Sequence, residues 1–293
     1  MTHPAPAKEI DRWTEQLLGE GWCVIPDLLP RTIAALDCDL TEAFERTPFC
    51  RGGFYGERTK RFGRLLARSC HAESLVLQPL VTGIVEQVLS PWCDTVQLNL
   101  TQAIALHPGA LPQLPHRDQD MWRGDIGEVE YLVNVMWPFT PFTRDNGATL
   151  VWPESHGPRA FAQTVPSSEI PVEMAPGSAL LFLGSTLHGA GGNRTRAVRR
   201  GAIVSYCLGW LKPYENQWLA YPPDVARHFS PELAALVGYR QHRPNLGNYE
   251  GQCPSILLGT APDRPLAATD ALRPDQAALV ADFVDAQRER SAA

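Results

Sequence analysis

Between residues 93 and 211 the chain is a succession of short β-forming runs cut by turns. CDTVQLNLTQAIALHPG, GEVEYLVNVMWPFTPF, NGATLVWPESHG, PVEMAPGSALLFLGSTLHG and RAVRRGAIVSYCLGW follow one another, punctuated by PG, DNG, APG and GAGGN. β-Branched and aromatic residues suit a pleated surface, and Gly, Pro, Asn and Asp supply the backbone angles that end it. Several short strands at this spacing predict a sandwich or jelly roll. The flanks read as helices. Residues 7–19 set Ile10, Trp13, Leu17 and Leu18 on one helical face, and WCVIP follows as a short strand. LLPRTIAALDCDLTEAFERT resumes the helical period, and residues 74–89 predict a further helix. Residues 51–69, RGGFYGERTKRFGRLLARS, read either as a solvated loop running into a helix or as a loop beside an active site. DALRPDQAALVADFVDAQRER closes the chain as an amphipathic helix with Asp270 as its cap. The expected class is mainly β with α. One domain spans 1–293: a helical part to about 92, a β core over about 93–211, and a helical and loop cover over about 212–293.

Hydrophobic residues make up 44% of the 293 and charged residues 20%, the balance of a folded protein. The net charge of −6 disfavours nucleic acid as a partner. Cysteines at 23, 38, 50, 70, 93, 207 and 253 are odd in number and show no CxxC spacing, so neither a disulfide framework nor a zinc site is expected. Reduced thiols in the cytoplasm are the expectation. MTHPAPAKEIDRW has no apolar core of a secretory signal, and RSAA is not a peroxisomal address. No apolar run approaches the ~18 residues of a membrane span.

Residues 114–122 read LPHRDQDMW. A strand turns residues i and i+2 to one face, so His116 and Asp118 project together, and so do Asp120 and Trp122. If the pair binds a metal, a third ligand is needed. His188 is the best candidate: it follows the apolar run SALLFLG and precedes a glycine turn. Two histidines and one carboxylate make the facial triad of non-haem Fe(II) oxygenases, which leaves three positions open on the metal. Asp120 is second choice as the carboxylate. Arg199 lies eleven residues on (199 − 188 = 11), at the start of a strand. A buried guanidinium there would clamp a carboxylate bidentately. A ligand held by iron at one end and by arginine at the other is a short dicarboxylate, and 2-oxoglutarate is such a molecule.

The order H-x-D … H-x10-R resembles the phytanoyl-CoA dioxygenase (PhyH) family of Fe(II)/2-oxoglutarate oxygenases. HPG at 107–109, NGATLVWPESH at 146–156 and HGAGGNRT at 188–195 resemble its supporting motifs. GWLKPYENQWLA and LVGYRQHRPNLG resemble the C-terminal parts of the natural-product branch. The resemblance covers roughly residues 20–260 and implies a double-stranded β-helix, a jelly roll with helices packed on one side. It implies His116, Asp118 and His188 as the Fe(II) ligands and catalytic centre. It implies Arg199 on the distal carboxylate of 2-oxoglutarate, with Thr149 and Gln102 as further cosubstrate contacts. Glu154 stands where the family usually has glycine, and Arg200 beside Arg199 makes that assignment depend on strand parity.

The implied activity couples oxidative decarboxylation of 2-oxoglutarate by O2 to oxidation of a small organic molecule, releasing succinate and CO2. Hydroxylation, desaturation and epoxidation are all within its reach, and the C-terminal motifs lean toward a natural product as substrate. Homodimers are common in that branch, which makes a dimer an expectation. Loops at 51–69 and 119–130 and the C-terminal region would build the substrate pocket. Trp122, Trp137 and Tyr131 default to the core; Trp122, by its parity with the metal pair, and Tyr131 are the candidate pocket residues. Two other classes stay open: a metal hydrolase using the triad with zinc, in which Arg199 has no role, and an inactive jelly-roll binding protein.

Overall fold

The computed structural model describes residues 5–122, 124, 127–161, 168–259 and 263–292. Its strands are β1 (Trp22–Ile25), β2 (Thr59–Phe62), β3 (Val96–Leu106), β4 (Leu132–Pro138), β5 (Thr149–Val151), β6 (Ile170–Val172), β7 (Ala179–Leu183), β8 (His188–Ala190) and β9 (Arg199–Leu208). Its α-helices are α1 (Ala7–Glu20), α2 (Pro30–Asp39), α3 (Thr41–Arg46), α4 (His71–Val76), α5 (Pro79–Leu89), α6 (Gln217–Ala220), α7 (Pro223–Ala226), α8 (Pro231–Leu236) and α9 (Pro274–Ala292). A six-stranded sheet runs β1-β7-β4-β9-β3-β2, and a three-stranded sheet runs β6-β5-β8. Every pairing is antiparallel. The fold is the expected jelly roll with helices on one side.

Alternation along the strands divides the interior in two. Val133, Val135 and Trp137 of β4 join Leu181 and Leu183 of β7 and Val204 and Tyr206 of β9 in a core shared with Leu17, Ile33, Leu36, Ile84 and Val85 of the helices. The opposite faces put Met136, Leu180 and Phe182 into a second core, between the sheets, with Ile104, Leu106, Phe142, Val151 and Val172. β4 is therefore buried along its whole length. Polar side chains interrupt the inner face of the large sheet, among them Arg61 on β2, Gln102 on β3, Asn134 on β4 and Arg199 on β9.

Five local expectations differ from the structure. The single helix expected over 74–89 is two, α4 and α5, broken at Leu77 and Gln78 ahead of Pro79. The helical period over 28–47 breaks at Leu40, giving α2 and α3. Residues 51–69 contain the edge strand β2, whose Arg61 and Phe62 pair with Ile104 and Ala103. Helix α9 starts at Pro274, so Asp270 lies too far upstream to cap it. The HxD segment is not a full strand. His116 makes an isolated bridge to His188, and the chain turns into a 3-10 helix at Asp118–Met121. No helix among the described residues is long and apolar enough to cross a membrane.

Candidate metal and cosubstrate site

One cavity of about 370 Å3 opens between the two sheets, and it is lined by His116, Asp118, His188, Arg199, Thr149 and Gln102 together. The backbone bridge sets the histidines: His116 N–H donates to His188 O at 2.9 Å, and His188 N–H to His116 O at 3.0 Å. Arg117 is extended, so Asp118 returns to the face of His116 before the 3-10 turn begins. Asp118 Oδ1 lies 3.3 Å from His116 Nε2, and Oδ2 lies 3.6 Å from His188 Nε2. The three donor atoms all fall within 4.8 Å of one another, a spacing that fits one ion.

Protonation is arranged to match. His116 Nδ1 donates to Leu114 O at 2.8 Å, and His188 Nδ1 donates to Thr186 O at 3.0 Å. A carbonyl only accepts, so each Nδ1 keeps its hydrogen and each Nε2 lone pair faces the trio. Burial pushes the Asp118 carboxyl up, but His188, His116 and a hydrogen bond from Asn134 hold it at about 2. Burial lowers His188, which favours the neutral ligand form. At His116 burial acts the same way, but the hydrogen bond and charge of Asp118, with the bond to Leu114 O, together outweigh it and the pKa is raised. Asn134 Nδ2 donates to Asp118 Oδ2 at 2.9 Å and so orients the carboxylate.

Arg199 is 2% exposed. Its guanidinium carbon sits 3.5 Å from the centre of the Phe142 ring. Among the described residues no carboxylate forms an ion pair with it, and its Nε has no hydrogen-bond partner. Burial and the nearby Arg61 push its pKa down to about 9. A buried cation without a counter-charge is costly, so this end of the cavity suits an anion. Arg200, the next residue, faces the other way and pairs with Asp37 of α2 at 2.7 Å. The strand parity that points Arg199 inward is thus visible in the backbone register.

Sequence reasoning missed several residues that line the cavity or contact those that do. Arg61 of β2 enters the cavity and donates to Gln102 Oε1 at 3.2 Å. Its only signal was its place in a Gly- and Arg-rich stretch. Asn134 is a lone amide in the apolar run YLVNVMW, a signal that went unused. Phe54 packs edge-on to His116, with ring centres 4.9 Å apart, and the Tyr55 and Tyr214 hydroxyls hydrogen-bond across the cavity mouth. Trp122 and Tyr131 are placed elsewhere. They pack on each other with centroids 6.3 Å apart, Tyr131 is 7% exposed within the core, and Trp122 Nε1 donates to Lys212 O at 3.0 Å. The 3-10 turn ends the alternation that would have carried Trp122 inward, and Asp120 and Met121 line the cavity there. Of the 119–130 loop, residues 123, 125 and 126 lie outside the described residues.

The PESH turn bears on the same site. Glu154 adopts φ +58°, the left-handed region that favours glycine. Ser155 Oγ accepts from Leu187 N–H at 2.9 Å, one residue before His188.

The profile of the phytanoyl-CoA dioxygenase (PhyH) family matches residues 18–201. The dioxygenase trt7 of Aspergillus terreus is 29% identical over 77% of this chain and 82% of its own length. The multifunctional dioxygenase ausE of Emericella nidulans is 30% identical over 80% of this chain and 85% of its own. Among solved structures, the epimerase SnoN in complex with Fe3+, alpha ketoglutarate and nogalamycin RO superposes with a TM-score of 0.58 at 16% identity, covering 70% of this chain and 86% of that one.

Proposed function

This chain belongs to the phytanoyl-CoA dioxygenase (PhyH) family, and from that membership we propose how its cavity works. It is an Fe(II)- and 2-oxoglutarate-dependent dioxygenase. His116, Asp118 and His188 hold the metal, and Arg199, with Thr149 and Gln102 nearby, holds the cosubstrate. The observation that carries this assignment is the buried Arg199 guanidinium, which has no acidic partner among the described residues and shares one cavity with the three metal-ligand side chains. A hydrolase would leave that guanidinium without purpose. The donor set also fits: two neutral imidazoles and one ionised carboxylate offset one of the metal's two charges and cover one face of it.

When bound, the metal and cosubstrate supply oxidation by O2, with release of succinate and CO2. The protein's own groups do the rest. The two Nδ1–H···O=C bonds fix both imidazoles, and Asn134 fixes the carboxylate. Phe142 and the buried strand around Arg199 keep water from that guanidinium, which strengthens its hold on a carboxylate. Arg61, on β2 of the same sheet, adds positive charge beside Gln102. The substrate is a small organic molecule of the natural-product kind, acted on in the cytoplasm and admitted past Phe54, Tyr55 and Tyr214. The test is succinate formation by purified protein. It should require Fe(II), 2-oxoglutarate and O2 together, with a slow background when no substrate is present. Turnover of candidate substrates under argon with Zn(II) and no 2-oxoglutarate would overturn the proposal.

A further inference from the structure

The two C-terminal motifs, GWLKPYENQWLA at 209–220 and LVGYRQHRPNLG at 236–247, contribute only Tyr214 to the metal and cosubstrate cavity. They meet in space all the same. With the start of β3 they line a second cavity of about 340 Å3, which shares no lining residue with the first. Two indoles form part of its wall. Trp210 and Trp218 are 43% and 52% exposed. Each spends its N–H on a backbone carbonyl: Trp210 Nε1 donates to Trp92 O at 3.0 Å, and Trp218 Nε1 to Gly238 O at 3.2 Å. The rings are thereby held in place, and what they offer a ligand is apolar surface. Lys212 and Arg240 are exposed and line the same cavity, and no Asp or Glu does. Neither cation has an ion-pair partner among the described residues, and nearby Asp94 is taken by Arg243 at 2.6 Å. In a chain with 32 acidic residues against 26 basic ones, this is a locally positive place.

Two buried lining residues keep hydrogen-bonding capacity that the protein does not use. Gln217 is 4% exposed. Its Nε2 donates to Asn99 O at 3.1 Å, and its Oε1 has no partner among the described residues. His242 is 8% exposed, and its Nε2 accepts from Asp94 N–H at 3.0 Å. The hydrogen of that neutral ring is therefore on Nδ1, which also has no partner among the described residues. A buried donor or acceptor left unmet is costly, and each such group calls for a partner. An apolar wall with a few polar groups, at this volume, is the usual make-up of a small-molecule site. We propose that this second cavity binds a small planar aromatic anion. Its ring lies on the indoles of Trp210 and Trp218, its anionic group pairs with Lys212 and Arg240, and its polar edge meets Gln217 and His242.

A fluorescence titration of the full chain tests this independently of its catalytic activity. The probe is 8-anilinonaphthalene-1-sulfonate, an aromatic anion whose emission rises when it leaves water. It should bind with one-to-one stoichiometry. N-phenyl-1-naphthylamine, the same ring system without the sulfonate, should bind the wild type more weakly. Lys212→Ala with Arg240→Ala removes two exposed charge partners, so sulfonate affinity should fall roughly tenfold. The neutral amine should be unaffected by that change, and so should the thermal midpoint, since neither side chain is buried or ion-paired. Trp218→Ala should weaken both probes. Arg199→Ala, in the other cavity, should weaken neither. Equal affinity of the wild type for the two probes overturns the proposal. So does a sulfonate affinity that survives the double charge variant or Trp218→Ala, and so does binding that is lost in Arg199→Ala, which would place the probe in the metal and cosubstrate cavity.

Discussion

The two ends of the cavity are built differently. The deep end is made of strand residues: Gln102, Asn134, Thr149, His188 and Arg199 all lie on the paired strands β3, β4, β5, β8 and β9. The mouth is made of Phe54, Tyr55, Met121 and Tyr214, which lie between strands, on turns or in the 3-10 helix. A strand in a sheet has its side-chain direction fixed by its neighbours, so one residue of slip would move Arg199 from the cavity to the helix side. A loop has no such constraint. On the proposed assignment, the deep end holds the groups that need fixed positions, and the mouth is less constrained.

Substitutions at the deep end should then be severe and specific, and those at the mouth mild. The largest effect belongs to the metal trio. His188→Ala removes one of three donors, and activity should fall to background with no retained metal after desalting, measured by metal analysis. Next is Arg199→Ala. Removing one partner of a buried charge pair costs about 3–5 kcal/mol, so the apparent KM for 2-oxoglutarate should rise roughly a hundredfold or more. Asn134→Ala frees the Asp118 carboxylate without touching the donors. Loss of such an outer hydrogen bond typically weakens metal binding about 10–100-fold, readable by titration with Co(II). Retained affinity in that variant would show that Asp118 is positioned by other contacts.

The same parity explains what was legible in the sequence. His116 and Asp118 were found by i, i+2 spacing, and the extended Arg117 between them keeps that geometry. Strand spacing holds only as far as Asp118. Extending it further carries Trp122 along with the pair, because nothing in DQDMW announces a 3-10 helix. Arg199 could be chosen over Arg200 only because a strand alternates. Arg61 and Tyr214 escaped notice because their contacts reach across 41 residues to Gln102 and 159 residues to Tyr55. No local pattern encodes such a meeting. The jelly roll itself was readable from the turn punctuation, whereas β2, inside an Arg-rich stretch, owes its strand to pairing with β3.

The contrast between neighbouring residues sharpens the point. Arg200→Ala should leave the KM for 2-oxoglutarate nearly unchanged and instead cost about 1–3 kcal/mol of stability, since it unpairs half-buried Asp37. At the mouth, Phe54→Ala should alter the KM for the organic substrate by only a few-fold and leave substrate-free succinate formation intact. A collapse of that background would place Phe54 with the deep end. The smallest effect is expected at Glu154→Gly, which should raise stability by about 0.5–1 kcal/mol by relieving the left-handed backbone.

The most direct measurement is an anaerobic titration of Fe(II)-loaded protein with 2-oxoglutarate, following the weak visible charge-transfer band of the chelate. Wild type and Arg200→Ala should develop the band with similar midpoints, His188→Ala should show none, and Arg199→Ala should need roughly a hundredfold more 2-oxoglutarate. A band that forms equally well in Arg199→Ala, or is lost in Arg200→Ala, would contradict the assignment of the buried guanidinium as the cosubstrate anchor.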